Sequence, residues 1–222
     1  MLKRDPYWWV AAPLAQTVPQ PVDKTCDVVI MGAGYTGLSA AITLARAGRS
    51  VQVFDRQKPG EGASSRNGGI TSGNLRPSFA EMTKRFGEAR ASAILAEAKL
   101  AREDLYRFIA EEKLDCDFKL VGRFAGAAAP GDYDALAREA EMLHETLGID
   151  AYAVQRPEQR QLIGTDYYHG GAVRMDIGGL HPAKFHAEML RIALAAGAKV
   201  HGETAITGIR DANLTARASG TW

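Results

Sequence analysis

The sequence lacks a charge of one sign. Its 222 residues carry 27 basic and 26 acidic side chains, a formal net charge of +1. Such a balance supplies no field to draw nucleic acid or an acidic surface, and neither is expected as a partner. Cysteine is scarce: Cys26 and Cys116 are the only two. They make no disulfide framework, neither sits in a C-x-x-C or zinc-type spacing, and a reduced cytoplasmic setting is the default expectation. No stretch approaches the ~18 apolar residues of a membrane-spanning helix. The opening MLKRDPYWWVAAPLAQT has an early Lys3-Arg4 and a short apolar run, but Asp5, Pro6 and Pro13 break it, which argues against a secretion leader. G-x-S-x-G and P-loop spacings are missing, so hydrolase and NTPase readings have no support. No internal repeat occurs.

What is present has an order. Residues 1–24 hold four of the nine prolines (Pro6, Pro13, Pro19, Pro21) and read as an extended arm rather than a helix. Its Tyr7-Trp8-Trp9 cluster reads as packing onto the body, with a membrane or partner contact as the alternative. Asp27-Val28-Val29-Ile30-Met31 predicts a strand buried on both faces. Leu38 to Ala47 has helical composition and stops at Gly48, and Val51-Gln52-Val53-Phe54 is a second strand ending at Asp55. Together they form a β-α-β unit with parallel pairing and a right-handed crossover. A glycine-rich loop follows at 60–74. Helix is expected over 79–113 and 134–147, and strands over 116–128, 151–154 and 167–175, with a short helix over 157–163. Pro182 opens a helix that ends at Gly197, where its missing N–H costs nothing. Further strands are expected at 199–201 and 204–207, and residues 214–222 suggest the second arm of a hairpin.

The chemistry concentrates in Gly32-Ala33-Gly34-Tyr35-Thr36-Gly37. A lone G-x-G-x-x-G is weak, but here a strand precedes it and a helix follows. Gly32 permits the sharp turn, Gly34 lets backbone approach a pyrophosphate, and Gly37 with Ala41 lets helix and strand pack closely. The helix N-terminus presents unpaired N–H groups and its dipole to phosphate charge. Asp55, 18 residues after Gly37, can accept both hydroxyls of an adenosine ribose, and Arg56 stands beside it. The motif alone does not separate FAD from NAD. The β-α alternation breaks after the second strand, where GEGASSRNGG begins at Gly60. An extended flavin needs a second loop, and Arg66, Asn67 and the N–H groups around Gly68-Gly69 suit it. A plain surface loop is the other reading of that stretch. His181 and His186 are five apart, which does not place both on one helical face, so no metal site is expected, and His181 reads as a cap or a packing residue at the domain crossing.

These residues carry a resemblance. The chain resembles the FAD-dependent oxidoreductases of the D-amino-acid oxidase and glycine oxidase superfamily, and within it the gamma-glutamylputrescine oxidoreductase branch. The matching pieces are YWWVAAP, VVIMGAGYTGLSAAITLARAG, GASSRNGG and GGLHPAKFHAEMLRIALAAGAKVHGETAITGI. The resemblance implies an α/β fold: a Rossmann-like FAD/NAD(P)-binding domain with an inserted α+β substrate domain, incomplete at the C-terminus. The FAD-binding domain would be residues 25–78 and 180–222, and residues 79–179 would be part of the substrate domain.

The cofactor implied is FAD. Gly32, Gly34, Tyr35, Thr36 and Gly37 would hold its pyrophosphate, and Asp55 with Arg56 its ribose. Ser64, Arg66, Asn67, Gly68 and Gly69 would sit near the pyrophosphate and ring, and Ile206 would offer backbone groups to the adenine. The implied reaction is oxidation of a C–N bond in a small amine or amino acid, with no general base from this half. Ser65 stands where the family loop has glycine, which implies a strained position of positive φ. Family members run to about twice this length, so a missing C-terminal half is expected. A non-catalytic fragment that keeps the nucleotide fold, or an NAD(P)-linked dehydrogenase, are the alternatives.

Overall fold

The computed structural model describes residues 5–210 and 213–215. In chain order the elements are α1 (Tyr7–Ala11), β1 (Val28–Met31), α2 (Tyr35–Arg46), β2 (Val51–Phe54), β3 (Ile70–Thr71), α3 (Phe79–Phe86), α4 (Glu88–Glu111), β4 (Lys119–Leu120), β5 (Arg123–Gly126), α5 (Asp132–Leu147), β6 (Ala151–Val154), β7 (Gly171–Arg174), β8 (Gly178–Gly179), α6 (Pro182–Ala195), β9 (Lys199–His201), β10 (Gly208–Arg210) and β11 (Asn213–Thr215). They divide into two compact units. The first joins residues 1–69, Leu114–Asp117 and 181–222, and the second joins Ile70–Lys113 and Phe118–Leu180.

The first unit is built on a parallel sheet of order β1-β2-β9. Val28 pairs with Val51 and Met31 with Phe54, and Gln52 to Phe54 pair with Lys199 to His201. β2 lies in the middle and all four of its residues are buried. Among the described residues β1 is an outer strand; Val28, Val29 and Ile30 are half-buried and Met31 is exposed, against the expectation of burial on both faces. α2 turns Leu38, Ala41 and Ile42 inward, and α6 turns in Phe185, Met189, Leu190, Ile192 and Ala193. These two helices pack on each other, and each packs against the sheet. Pro182 occupies the first turn of α6, as its missing N–H allows, and Gly197 (φ +96°) takes the left-handed turn that ends it.

Two further expectations for this unit fail. The first 24 residues are not wholly extended: Pro6, at the N-cap, starts the short helix α1. Residues 204–207 form a loop, and the strand begins at Gly208, paired antiparallel with Asn213–Thr215. The second hairpin arm expected from Leu214 begins at Asn213, and residues 216–222 lie outside the described residues.

In the second unit, β6 and β5 flank β7 antiparallel, and α5 covers this sheet. The core there is Ala140, Leu143, Ile149, Ala151 and Ala172. β3 and β4 flank β8, and a side chain at Gly178 would meet Phe118, Thr71 and the Lys119 carbonyl. The first unit ends at Gly69 rather than near 78 because Ile70–Thr71 pairs with Gly178–Gly179. The expected 79–113 helix is two helices broken at Gly87, whose φ of +80° no helix accommodates. The expected 157–163 helix shrinks to a 3₁₀ turn at Gln159–Gln161. A buried ion cluster ties the unit: the Asp176 carboxylate accepts from Arg102 and, in a two-pronged contact, from Arg174.

Candidate cofactor-binding site

The site lies within the first unit, where β1 runs into α2. Gly32 takes φ +96° and its N–H donates to the Phe54 carbonyl (2.7 Å), folding the turn back onto the β2 end. Gly34 is the N-cap of α2 and has no capping side chain of its own. A Cβ at Gly34 would lie 2.9 Å from Ser64 Oγ, and one at Gly37 would lie 1.9 Å from the Gly32 carbonyl oxygen. At Gly32 the same addition meets open space. The glycines therefore serve different ends: conformation at 32, clearance at 34, contact at 37.

Helix geometry leaves the N–H groups of residues 34–37 without intrahelical acceptors. Tyr35 N–H donates to Ser64 Oγ (3.1 Å), which fastens the second loop to the helix start. The Asp55 carboxylate accepts from Ala33 N–H (2.8 Å) and Gln57 N–H (2.9 Å), one bond to each oxygen. Each oxygen retains a lone pair for a ribose hydroxyl. Thr36, Arg56, Asn67 and Gly68 are exposed. Ile206 is half-buried in the loop after β9, whose Thr204 N–H donates to the Asp55 carbonyl (2.7 Å).

The second loop is internally organised. A 3₁₀ turn covers Ala63–Ser65. Asn67 donates to the carbonyls of Ala63 and Ser64 and accepts from Gly69 N–H, so its amide shapes the loop itself. Arg66 Nε donates to the Glu61 carbonyl (2.6 Å) and its guanidinium lies 4.4 Å from the centre of the Trp9 ring. Gly69 needs its left-handed φ of +72°, whereas a Cβ on Gly68 would find nothing within 4 Å. Ser65 corrects the expectation of strain. It is not among the residues of positive φ; it is fully buried, and its hydroxyl donates to the Gly60 carbonyl (2.5 Å) while accepting from Trp9 Nε1 (2.7 Å).

One contributor, His186, escaped the sequence reading. His186 is buried on α6, and its Nε2 donates to the Ala33 carbonyl (2.7 Å) while Asp55 holds the Ala33 N–H. Ala33, inside the phosphate turn, is thus held through both of its flanking peptides. His186 Nδ1 faces Gly60, where an added Cβ would come within 2.5 Å. Burial holds the imidazole below its ordinary pKa, partly offset by the Ala33 carbonyl and by Asp55. A histidine on an apolar helix face needs a buried polar partner, and that signal was available. Tyr35 donates its hydroxyl to the Pro182 carbonyl (3.0 Å), and burial pushes its pKa up to about 12. His181 caps α6 by accepting from Lys184 N–H (3.3 Å). Among the described residues no group of three His, Cys, Asp or Glu gathers as a metal ion would need, and no helix is long and apolar enough to cross a membrane.

The arrangement fits a dinucleotide. A glycine turn of the required clearance stands before a helix N-terminus, a carboxylate stands at the next strand end, and a second loop is bonded to the first. Comparisons agree. The chain is 30% identical over 206 residues to the probable oxidoreductase OrdL of Rhizobium meliloti, covering 89% of this chain and 47% of that protein. It is 30% identical over 199 residues to the gamma-glutamylputrescine oxidoreductase of Escherichia coli, covering 84% and 43%. Glycine oxidase from Geobacillus kaustophilus superposes with a TM-score of 0.69 at 20% identity, covering 83% of this chain and 48% of that one. L-amino acid deaminase from Proteus vulgaris superposes with a TM-score of 0.72 at 19% identity, covering 89% and 50%. The chain thus spans about half the length of the curated relatives it matches. The family model described as "DAO: FAD dependent oxidoreductase" matches residues 27–221, and the chain belongs to this family of FAD-dependent oxidoreductases.

Proposed function

We propose that this chain binds FAD through the two joined loops and forms the nucleotide-binding part of an oxidoreductase that oxidises a C–N bond of a small amine or amino acid. The observation that carries the reading is the bond from Tyr35 N–H to Ser64 Oγ, which sets the second loop against the phosphate turn. Gly32, Gly34, Tyr35, Thr36 and Gly37 would face the pyrophosphate, and Asp55 with Arg56 the ribose. Ser64, Arg66, Asn67, Gly68 and Gly69 would line the approach to the ring, and Ile206 would lie by the adenine. FAD, when bound, supplies acceptance of a hydride from the carbon next to nitrogen. The chain's own residues bind and orient: the start of α2 offsets phosphate charge, and Asp55 fixes the ribose. A gamma-glutamylated polyamine is the substrate class favoured by the resemblance to the Escherichia coli relative.

Gel filtration of the 222-residue protein with FAD tests the reading. Flavin absorbance should travel with the protein, and added NAD should leave none bound. A folded protein that carries no flavin would overturn it. Anaerobic addition of gamma-glutamylputrescine, set against glycine, then asks which substrate bleaches the bound flavin.

A further inference from the structure

We infer that Trp8 and Trp9 of the N-terminal helix are positioning residues for the second cofactor loop, a clamp that shapes Ser65, Arg66 and Asn67 before any ligand arrives. Two adjacent side chains of α1 engage three adjacent residues of the loop. Trp9 Nε1 donates to Ser65 Oγ (2.7 Å), and Ser65 passes the bond on to the Gly60 carbonyl (2.5 Å). The Trp9 ring carries the Arg66 guanidinium on its face at 4.4 Å. Trp8 Nε1 donates to the Asn67 carbonyl (2.8 Å). The helix bearing them is only five residues long and buries none of them fully, so it draws little stability from itself. The Trp8 ring meets the His181 ring edge-on, with centroids 4.8 Å apart, which ties the clamp to the start of α6.

The chemistry explains why tryptophan stands twice. Indole N–H donates without accepting, so it can hold a hydroxyl or carbonyl oxygen only in one sense. Ser65, completely buried, would otherwise leave half its hydrogen-bonding capacity unmet. Glycine there could answer neither Trp9 nor the Gly60 carbonyl. The serine at this position and the Trp9 indole are therefore two halves of one device. A loop held this way loses less freedom on binding a ligand. The inference rests on the cofactor reading only for its consequence; the clamp itself belongs to the ligand-free chain.

Hydrogen exchange of loop residues 60–69 in the full chain without FAD tests the clamp directly. Trp9→Phe keeps the ring and removes the donor, and should raise exchange of the loop about tenfold, the effect of losing one hydrogen bond of ordinary net strength. Ser65→Ala removes that bond and the one to the Gly60 carbonyl, so it should loosen the loop at least as much, and the double variant should be no worse than Ser65→Ala alone. Circular dichroism should be unchanged in Trp9→Phe; if that variant unfolds, Trp8→Phe gives the equivalent comparison at Asn67. Unchanged loop exchange in folded variants, or additive effects in the double variant, would overturn the clamp. FAD titration, followed by quenching of flavin fluorescence, should show several-fold weaker binding in Trp9→Phe. Looser exchange without flavin binding in any form would leave the clamp standing and refute the cofactor reading.

Discussion

Gly32 and Gly37 belong to the same motif but should fail differently when given a methyl group. At Gly37 the added carbon would lie 1.9 Å from the Gly32 carbonyl, where only backbone can give way. Gly37→Ala should therefore cost upwards of ~3 kcal/mol, seen as a large drop in urea midpoint. Gly32→Ala meets open space and bears only the cost of its left-handed φ, about 1–2 kcal/mol. The reverse ranking would show that the turn is built otherwise. In the second unit, Asp176→Ala would leave Arg102 and Arg174 buried without their shared carboxylate. Removing one partner of a buried pair costs ~3–5 kcal/mol, which a denaturation curve would register. His186 gives a pH prediction. Its folded pKa lies below its unfolded value, chiefly through burial, so its stabilising effect is intact above about pH 6.5 and is lost as pH falls toward the folded pKa. His201 shifts the same way, again chiefly through burial, so His186→Gln should flatten the acid side of the stability curve in part. An unaltered slope would show that His186 is not the neutral buried group its contacts require.

Among elements, the break between α3 and α4 makes the sharpest case. Gly87 ends one helix and starts the next at φ +80°, with empty space where a Cβ would go. Gly87→Ala should cost about 1 kcal/mol without altering helix content, measurable as a lower thermal midpoint by circular dichroism. The apolar spacing over 79–113 could not reveal the break, because period and composition continue through it. The β-α-β unit is legible in its order and parallel pairing, since strand, glycine turn and helix follow from local rules, but the exposure of Met31 is not, because it depends on which strands flank β1. The Ser65 hydroxyl was not, because its two partners lie five and 56 residues away. For the same reason the sequence suggested strain at Ser65 where the structure has a bridge. The prolines of the arm suggest an extended chain, but Pro6 sits where a helix tolerates it, at the N-cap of α1.

For the molecule as a whole, ligand binding should act on one unit. FAD should raise the thermal midpoint and slow exchange over residues 28–37 and 55–69 while leaving 88–111 unprotected relative to the free chain. Uniform protection would mean the units do not respond separately. The parallel sheet also carries a consequence for how the chain is made. β2 pairs with β1 soon after both are synthesised, yet its other neighbour, β9, comes roughly 150 residues later. At a translation rate of ~5–20 residues per second, the open side of β2 waits ten seconds or so beside the ribosome, with the whole second unit emerging in between. A strand as apolar as Val51-Gln52-Val53-Phe54 is sticky over that interval. Nascent chains stalled before Lys199 should therefore recruit chaperones that the released protein does not need.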